Sequence, residues 1–135
     1  MKALKVDHLG IAVRDLEEAV RTYRTLGFEV ESVHEVPTEK VRAAFLPVGE
    51  SRLELLEPTD PTSAVARFLE KRSGLHHVCL LVEDIEAALA ELKAAGVALI
   101  DDRPRPGAGG SRVAFVHPRS AAGVLVELKQ AGPTA

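Results

Sequence analysis

Cysteine is nearly absent: Cys79 is the only one among 135 residues. A single cysteine forms no internal disulfide and builds no multi-cysteine zinc site. Tryptophan is missing and Tyr23 is the one tyrosine. Basic residues form no run and no stripe interleaved with aromatics, and the net charge is only −3, from 17 basic and 20 acidic residues. Nothing here tracks phosphates or stacks on bases, which argues against a nucleic-acid partner. No apolar run approaches the ~18 residues of a membrane span. Met1 to Asp7 is charged and lacks the apolar core of a secretory signal. These absences are those expected of a soluble cytoplasmic protein.

Thermolabile side chains are scarce too. There is no Asn, one Gln (Gln130) and no Met beyond Met1, while Arg outnumbers Lys 11 to 6. This fits a heat-adapted source, and equally a genome that favours Ala and Arg codons. What is present is ordinary for a globular chain: 46% hydrophobic and 27% charged residues. A chain of this length buries about two thirds of its unfolded surface, enough for a core without staples.

The chain contains itself twice. At an offset of 69, His8, Val13, Asp15, Glu17, Ala19 and Gly27 recur as His77, Val82, Asp84, Glu86, Ala88 and Gly96. Further on, Arg42 to Leu46 resembles Arg112 to Val116, and Leu53-Glu54-Leu55 resembles Val126-Glu127-Leu128. Both copies share a local grammar. A β-branched run opens each. Asp15 and Asp84 then stand where an N-cap belongs. Apolar residues follow at helical spacing: Leu16, Ala19, Val20 and Tyr23, then Ile85, Ala88, Leu89 and Leu92. Gly27 and Gly96 fall just past each helix, where positive φ is easiest for glycine. Three short strands complete each copy, expected near 28–36, 41–48 and 51–57, then near 97–101, 112–117 and 123–130. Each half therefore reads β-α-β-β-β: module one about 5–58, module two about 75–130, in one domain over 1–135. Between them, Asp60 as N-cap with Pro61 behind it predicts a linker helix over about 60–73. The stretch Arg103 to Gly110 reads as an ordered or gating loop.

Four polar residues interrupt the apolar strands. His8 shares a strand face with Gly10 and Ala12, which leave space beside it. His77 is in phase with His8 in the second copy. Glu54 and Glu127 are each centred in an apolar strand, where an ionised carboxylate is costly to bury unless a cation or donors meet it. Any one of the four suits a satisfied core histidine or a solvated carboxylate. All four at repeat-equivalent positions suit something sharper. A two-fold relation between the copies would gather two imidazoles and two carboxylates, a good divalent-metal site.

At these residues the sequence resembles the vicinal oxygen chelate superfamily, and within it the methylmalonyl-CoA epimerases. The similarity runs over about residues 5 to 130. It is carried by His8 to Val13, Leu53 to Pro58, Phe68 to Lys71 leading to Gly74 to His77, Arg105 to Gly110, and Val116 to Pro118 through Gly123 to Leu128. The resemblance implies an α+β fold: two tandem βαβββ modules forming a curved, partly open eight-stranded sheet around a metal site. It matches His8, His77 and Glu127 to the metal ligands and Glu54 to a fourth position, often Gln in relatives. It implies a divalent cofactor, Co²⁺ favoured, with Mn²⁺, Ni²⁺, Mg²⁺ or Zn²⁺ also fitting, and it implies a homodimer. His76 reads as a structural neighbour of the ligand.

The chemistry implied is interconversion of (2R)- and (2S)-methylmalonyl-CoA. The α-hydrogen leaves through a metal-stabilised enolate and a proton returns on the opposite face. Inversion needs a base on one side and an acid on the other. Glu39 is the expected first acid/base, with Glu35 as fallback, and Glu127 the expected second, with Glu54 or a bound water as alternatives. Gly110, Ser111 and Arg112 are candidates for binding the substrate carboxylate, and Arg103, Arg105 and Arg112 for the phosphates of CoA. Two other readings use the same sequence differently. One is another enzyme of the superfamily, a glyoxalase I or an Fe(II) extradiol dioxygenase. The other is a non-enzymatic protein that sequesters a small ligand.

Overall fold

The repeat is visible as duplicated topology. A computed structural model describes residues 1–133, and the chain divides into two compact units. We call His8–His76 the N-module; Met1–Asp7 with the chain from His77 onward forms the C-module. Thus the first seven residues belong with the second copy, not the first. Lys129 Nζ donates to Asp7 Oδ2 at 3.2 Å within that unit, and the terminal amine pairs with Glu91.

In the N-module, the strand β1 (Ala3–Ala12) is followed by helix α1 (Leu16–Thr25) and strands β2 (Ser32–Val36), β3 (Val41–Val48) and β4 (Ser51–Pro58). From His8 onward β1 pairs with β4 in parallel, while β2–β3 and β3–β4 are antiparallel. The second copy repeats this. Strand β5 (Gly74–Val82) leads to helix α3 (Ile85–Ala94), then strands β6 (Arg105–Pro106), β7 (Arg112–Val116) and β8 (Val126–Gln130). There β5–β8 is parallel, and β6–β7 and β7–β8 are antiparallel. The α+β class and the eight strands are those expected from sequence.

The helices begin where the caps predict. Asp15 accepts from the Glu18 N–H at 3.0 Å and Asp84 from the Ala87 N–H at 3.1 Å. Each first-turn N–H also meets a side chain from the last strand of its module: Leu16 reaches Glu57 at 2.8 Å, and Ile85 reaches Gln130 at 2.9 Å. The apolar stripe of α1 packs Leu16, Ala19, Val20 and Tyr23 against Ala44, Leu46 and Leu55. That of α3 packs Ile85, Ala88 and Leu89 against Ala114, Val116 and Leu128. Burying each such leucine or isoleucine contributes about 1.5–3 kcal/mol. Because strand side chains alternate, Leu55 and Leu128 facing the helices turn Glu54 and Glu127 to the other face.

Three expectations shift. The linker helix α2 spans only Ala64–Leu69. Asp60 is not its N-cap. Instead its carboxylate closes a local turn, accepting from the Thr62 N–H at 2.7 Å and the Thr62 hydroxyl at 2.6 Å; these donors hold its carboxyl below the usual range. Ser63 takes the cap, with its hydroxyl accepting from the Val65 N–H at 3.2 Å. In the second copy, the strand expected over 97–101 is reduced to one bridge, Leu99 to Val116. The Asp101 carboxylate takes the Phe115 N–H at 2.8 Å, so side chain replaces backbone there. The short β6 forms instead inside the stretch read as a loop. Finally, β8 starts at Val126 and not near 123, because Ala122 and Gly123 adopt positive φ (54° and 87°) in a turn.

Candidate metal and substrate site

The N-module brings His8 and Glu54 together. His8 lies opposite Arg52, and Glu54 opposite Gly10 on one side and Phe45 on the other. With no side chain on Gly10, the glutamate reaches the imidazole: His8 Nδ1 is 3.2 Å from Glu54 Oε2. Both residues are buried, at 5% and 8% exposure. Arg52, two residues before Glu54 on the same strand face, places Nε 2.8 Å from the same Oε2. Its guanidinium lies over the Phe45 ring, 5.2 Å from the centroid.

The C-module brings His77 and Glu127 equally close, through the other imidazole nitrogen. Glu127 lies opposite Cys79 and Phe115, and His77 Nε2 is 3.2 Å from Glu127 Oε1. His77 is buried and meets the Phe115 ring edge-on, with centroids 6.0 Å apart. A guanidinium again covers the phenylalanine: Arg105 lies 5.3 Å from the Phe115 centroid. His76 packs edge-on against Phe68, with ring centroids 5.0 Å apart.

Each pair is one imidazole and one carboxylate at 3.2 Å; both histidines and Glu54 are buried, and Glu127 is half-buried. Uncompensated, a carboxylate so placed is expensive. Nitrogen and oxygen donors of this kind suit first-row divalent ions, so the donor chemistry fits a divalent metal.

Glu39 sits in the turn between β2 and β3, half-buried. The turn is pinned from several sides. The Glu39 N–H donates to Val36 O at 3.1 Å, the Ser63 hydroxyl donates to Glu39 O at 3.3 Å, and the Thr59 N–H donates to Lys40 O at 2.8 Å. Lys40 Nζ adds a 2.6 Å bond to Thr62. The short segment before α2 thus clamps the turn that carries Glu39. Glu35 is exposed on β2, opposite Arg42.

The glycine-rich stretch is ordered. Residues Ala108–Gly110 form a 3-10 turn. Ser111 is buried, and both its N–H (3.2 Å) and its hydroxyl (2.7 Å) donate to Ala108 O. A Cβ at Gly107 would stand 2.6 Å from Ser111 Oγ and 2.9 Å from Val113 Cγ1, so this glycine is required by close approach. Arg112 pairs with Glu86 at 3.0 Å and Arg105 with Asp101 at 3.5 Å, whereas Arg103 is exposed.

Sequence reasoning missed Arg52, Phe45 and Phe115. The signals were available: Arg52 is two residues from Glu54, hence on its face, and the two phenylalanines are repeat equivalents.

The fold is that of a known superfamily. Residues 7–115 match the Glyoxalase/Bleomycin resistance protein/Dioxygenase superfamily, and the chain belongs to it. More particular likenesses follow. The ethylmalonyl-CoA/methylmalonyl-CoA epimerase of Cereibacter sphaeroides is 43% identical over 130 residues, covering 93% of this chain and 97% of that protein. The mitochondrial methylmalonyl-CoA epimerase of Mus musculus is 40% identical over 130 residues, 94% of this chain and 73% of that protein. A variant methylmalonyl-CoA epimerase of Streptomyces coelicolor, solved with 2-nitronate-propionyl-CoA, superposes with a TM-score of 0.89 at 40% identity over 96% of each chain.

Proposed function

We propose that this chain is an isomerase, a metal-dependent epimerase that interconverts (2R)- and (2S)-methylmalonyl-CoA. The observation that carries the reading is the near full-length likeness to epimerases of that name. The duplicated, largely buried His–Glu pair supports it.

In this reading His8, Glu54, His77 and Glu127 would hold a divalent cation, with cobalt the first candidate. When bound, such a cation would supply Lewis-acid stabilisation for negative charge on the thioester oxygen. The rest falls to the chain itself. The Glu39 carboxylate takes the α-proton, and the pinned turn fixes where that carboxylate can reach. Glu35 is the alternative base. Glu127 returns a proton to the opposite face. The loop at Gly110, Ser111 and Arg112 receives the free carboxylate, Ser111 acting through the loop shape that its two bonds to Ala108 impose. Arg103, Arg105 and Arg112 would meet the phosphates of CoA. We further read the enzyme as a cytoplasmic homodimer from a heat-adapted source. In accord with this, no helix among the described residues is long and apolar enough to cross a membrane.

The test is proton NMR of methylmalonyl-CoA in D₂O with and without added Co²⁺. Metal-dependent loss of the α-proton signal, faster than spontaneous exchange, is the expected result. Coupling to a stereospecific mutase then reports inversion. No acceleration with any divalent ion would overturn the reading and turn attention to oxygen uptake and glutathione adducts.

A further inference from the structure

Glu54 is the most heavily engaged carboxylate of the N-module site. Its Oε2 alone receives Arg52 Nε at 2.8 Å and lies 3.2 Å from His8 Nδ1. Arg52 is itself held in place, with its guanidinium over the Phe45 ring at 5.2 Å and its side chain one-third exposed (33%). The register makes this a built arrangement: Arg52 pairs with His8, and Glu54 with both Gly10 and Phe45. The aromatic face, the cation and the carboxylate therefore stack in sequence above the histidine.

We propose that Arg52 is a positioning residue that sets how strongly Glu54 acts on a bound divalent cation. The inference rests on the metal-site reading above and deepens it. An arginine at hydrogen-bond distance has two physical effects on a buried carboxylate. It satisfies one oxygen with a strong, charge-assisted bond, leaving Oε1 as the oxygen for a cation and keeping Glu54 from chelating through both. It also cancels much of the carboxylate's charge. Two imidazoles and two carboxylates would neutralise a divalent ion, whereas with Arg52 counted the surroundings carry a net charge of about −1. The cation then keeps part of its charge for an anionic substrate, at the expense of its own affinity. Arg52 does this without touching the reacting atoms. Phe45 keeps it in register, since a guanidinium stacks on an aromatic face where an ammonium is less well matched.

The test is calorimetric titration of metal-free protein with Co²⁺, a readout independent of turnover. Wild type, R52Q, R52K, E54Q and the double variant R52Q/E54Q are compared, each checked for an unchanged melting transition. R52Q is expected to bind Co²⁺ about tenfold more tightly, because removing a nearby positive charge and releasing Oε2 both favour the cation. R52K, which keeps the charge, should lie between wild type and R52Q. In the E54Q background the R52Q change should shrink to the direct effect of the Arg52 charge, since the part routed through Glu54 is gone. An R52Q affinity within twofold of wild type overturns the proposal, and so does an undiminished shift in the E54Q background. If wild type takes up no divalent cation at all, the metal reading itself fails and this proposal falls with it. Wild-type binding with an indifferent R52Q removes only Arg52.

Discussion

The two modules place the same histidine–glutamate pair on the same topology but hold the surrounding cation differently. In the N-module, the guanidinium over the phenylalanine comes from Arg52, on the strand that carries Glu54, and it grips that glutamate. In the C-module, the guanidinium over the equivalent phenylalanine comes from Arg105, on the edge strand β6, and it pairs with Asp101. At the strand position of Arg52, the second copy has Leu125. Duplication thus keeps the imidazole, the carboxylate and the aromatic floor but moves the charge. The comparison teaches that topology dictates where a ligand sits, while a side chain two residues away dictates how it is charged.

The comparison can be broken most severely at the donors. His8→Ala and His77→Ala should each abolish stoichiometric metal binding and lower kcat/KM by about a thousandfold or more. Elemental analysis with an epimerase assay checks this. If both variants keep full metal, the two pairs are not one chelate. Next in size is Glu39→Gln, which should lose about 10²–10⁴-fold in kcat while keeping its metal; Glu35→Gln should be near wild type. Full activity in Glu39→Gln with a collapse in Glu35→Gln would exchange their roles.

Stability offers a gentler contrast. Leu55 and Leu128 each follow a site glutamate and are fully buried beneath their helix. Leu55→Ala and Leu128→Ala should each cost about 2–5 kcal/mol in denaturant unfolding. Similar losses would show that both modules share one cooperative transition, whereas a second transition in one variant would show that they melt separately. The caps come next, with Asp15→Ala and Asp84→Ala each expected to cost about 1 kcal/mol.

The smallest effect concerns an ion pair that both modules keep. In the N-module Arg42 sits against Glu17, Nη2 to Oε1 at 3.0 Å, as the repeat-equivalent Arg112 sits against Glu86 at 3.0 Å in the second copy. The hydrogen bond from Arg42, then its charge, holds the Glu17 carboxyl below its ordinary value of 4.5. A lowered carboxyl pKa adds stability that is present above the unfolded value and lost as pH falls through the folded one. Glu17→Gln should therefore lower the melting temperature slightly at pH 7, converge on wild type as pH falls below about 4.5, and so flatten the acid side of the profile. An identical acid limb in the variant would remove Glu17 from the account.

Much of this was legible in the chain itself. The offset of 69 identified both modules, their helices and their N-caps, because capping and apolar periodicity are local. It also singled out His8, Glu54, His77 and Glu127 as a set, because strand parity decides which face each residue takes; the pairing of His8 with Glu54 and of His77 with Glu127 came from the structure. What escaped depended on competition between local options. Asp60 could cap a helix or close a turn on Thr62, and the nearby hydroxyl decided for the turn. Residues 97–101 had strand character, but the Asp101 side chain occupied the Phe115 N–H that a strand would have used. Arg52 escaped for another reason: a surface-type residue next to a functional one carries no pattern of its own.

The split of β1 has a consequence for how the protein is made. The N-module is one continuous stretch, His8–His76, and all of it has been synthesised once residue 76 is added. The C-module is discontinuous: Asp7 finds Lys129 across 122 residues. Its opening strand leaves the ribosome first and waits for its last strand. Contacts so distant in sequence carry the loop-closure entropy that slows folding. The N-module is therefore free to fold during translation, while the other half can close only near the end of synthesis.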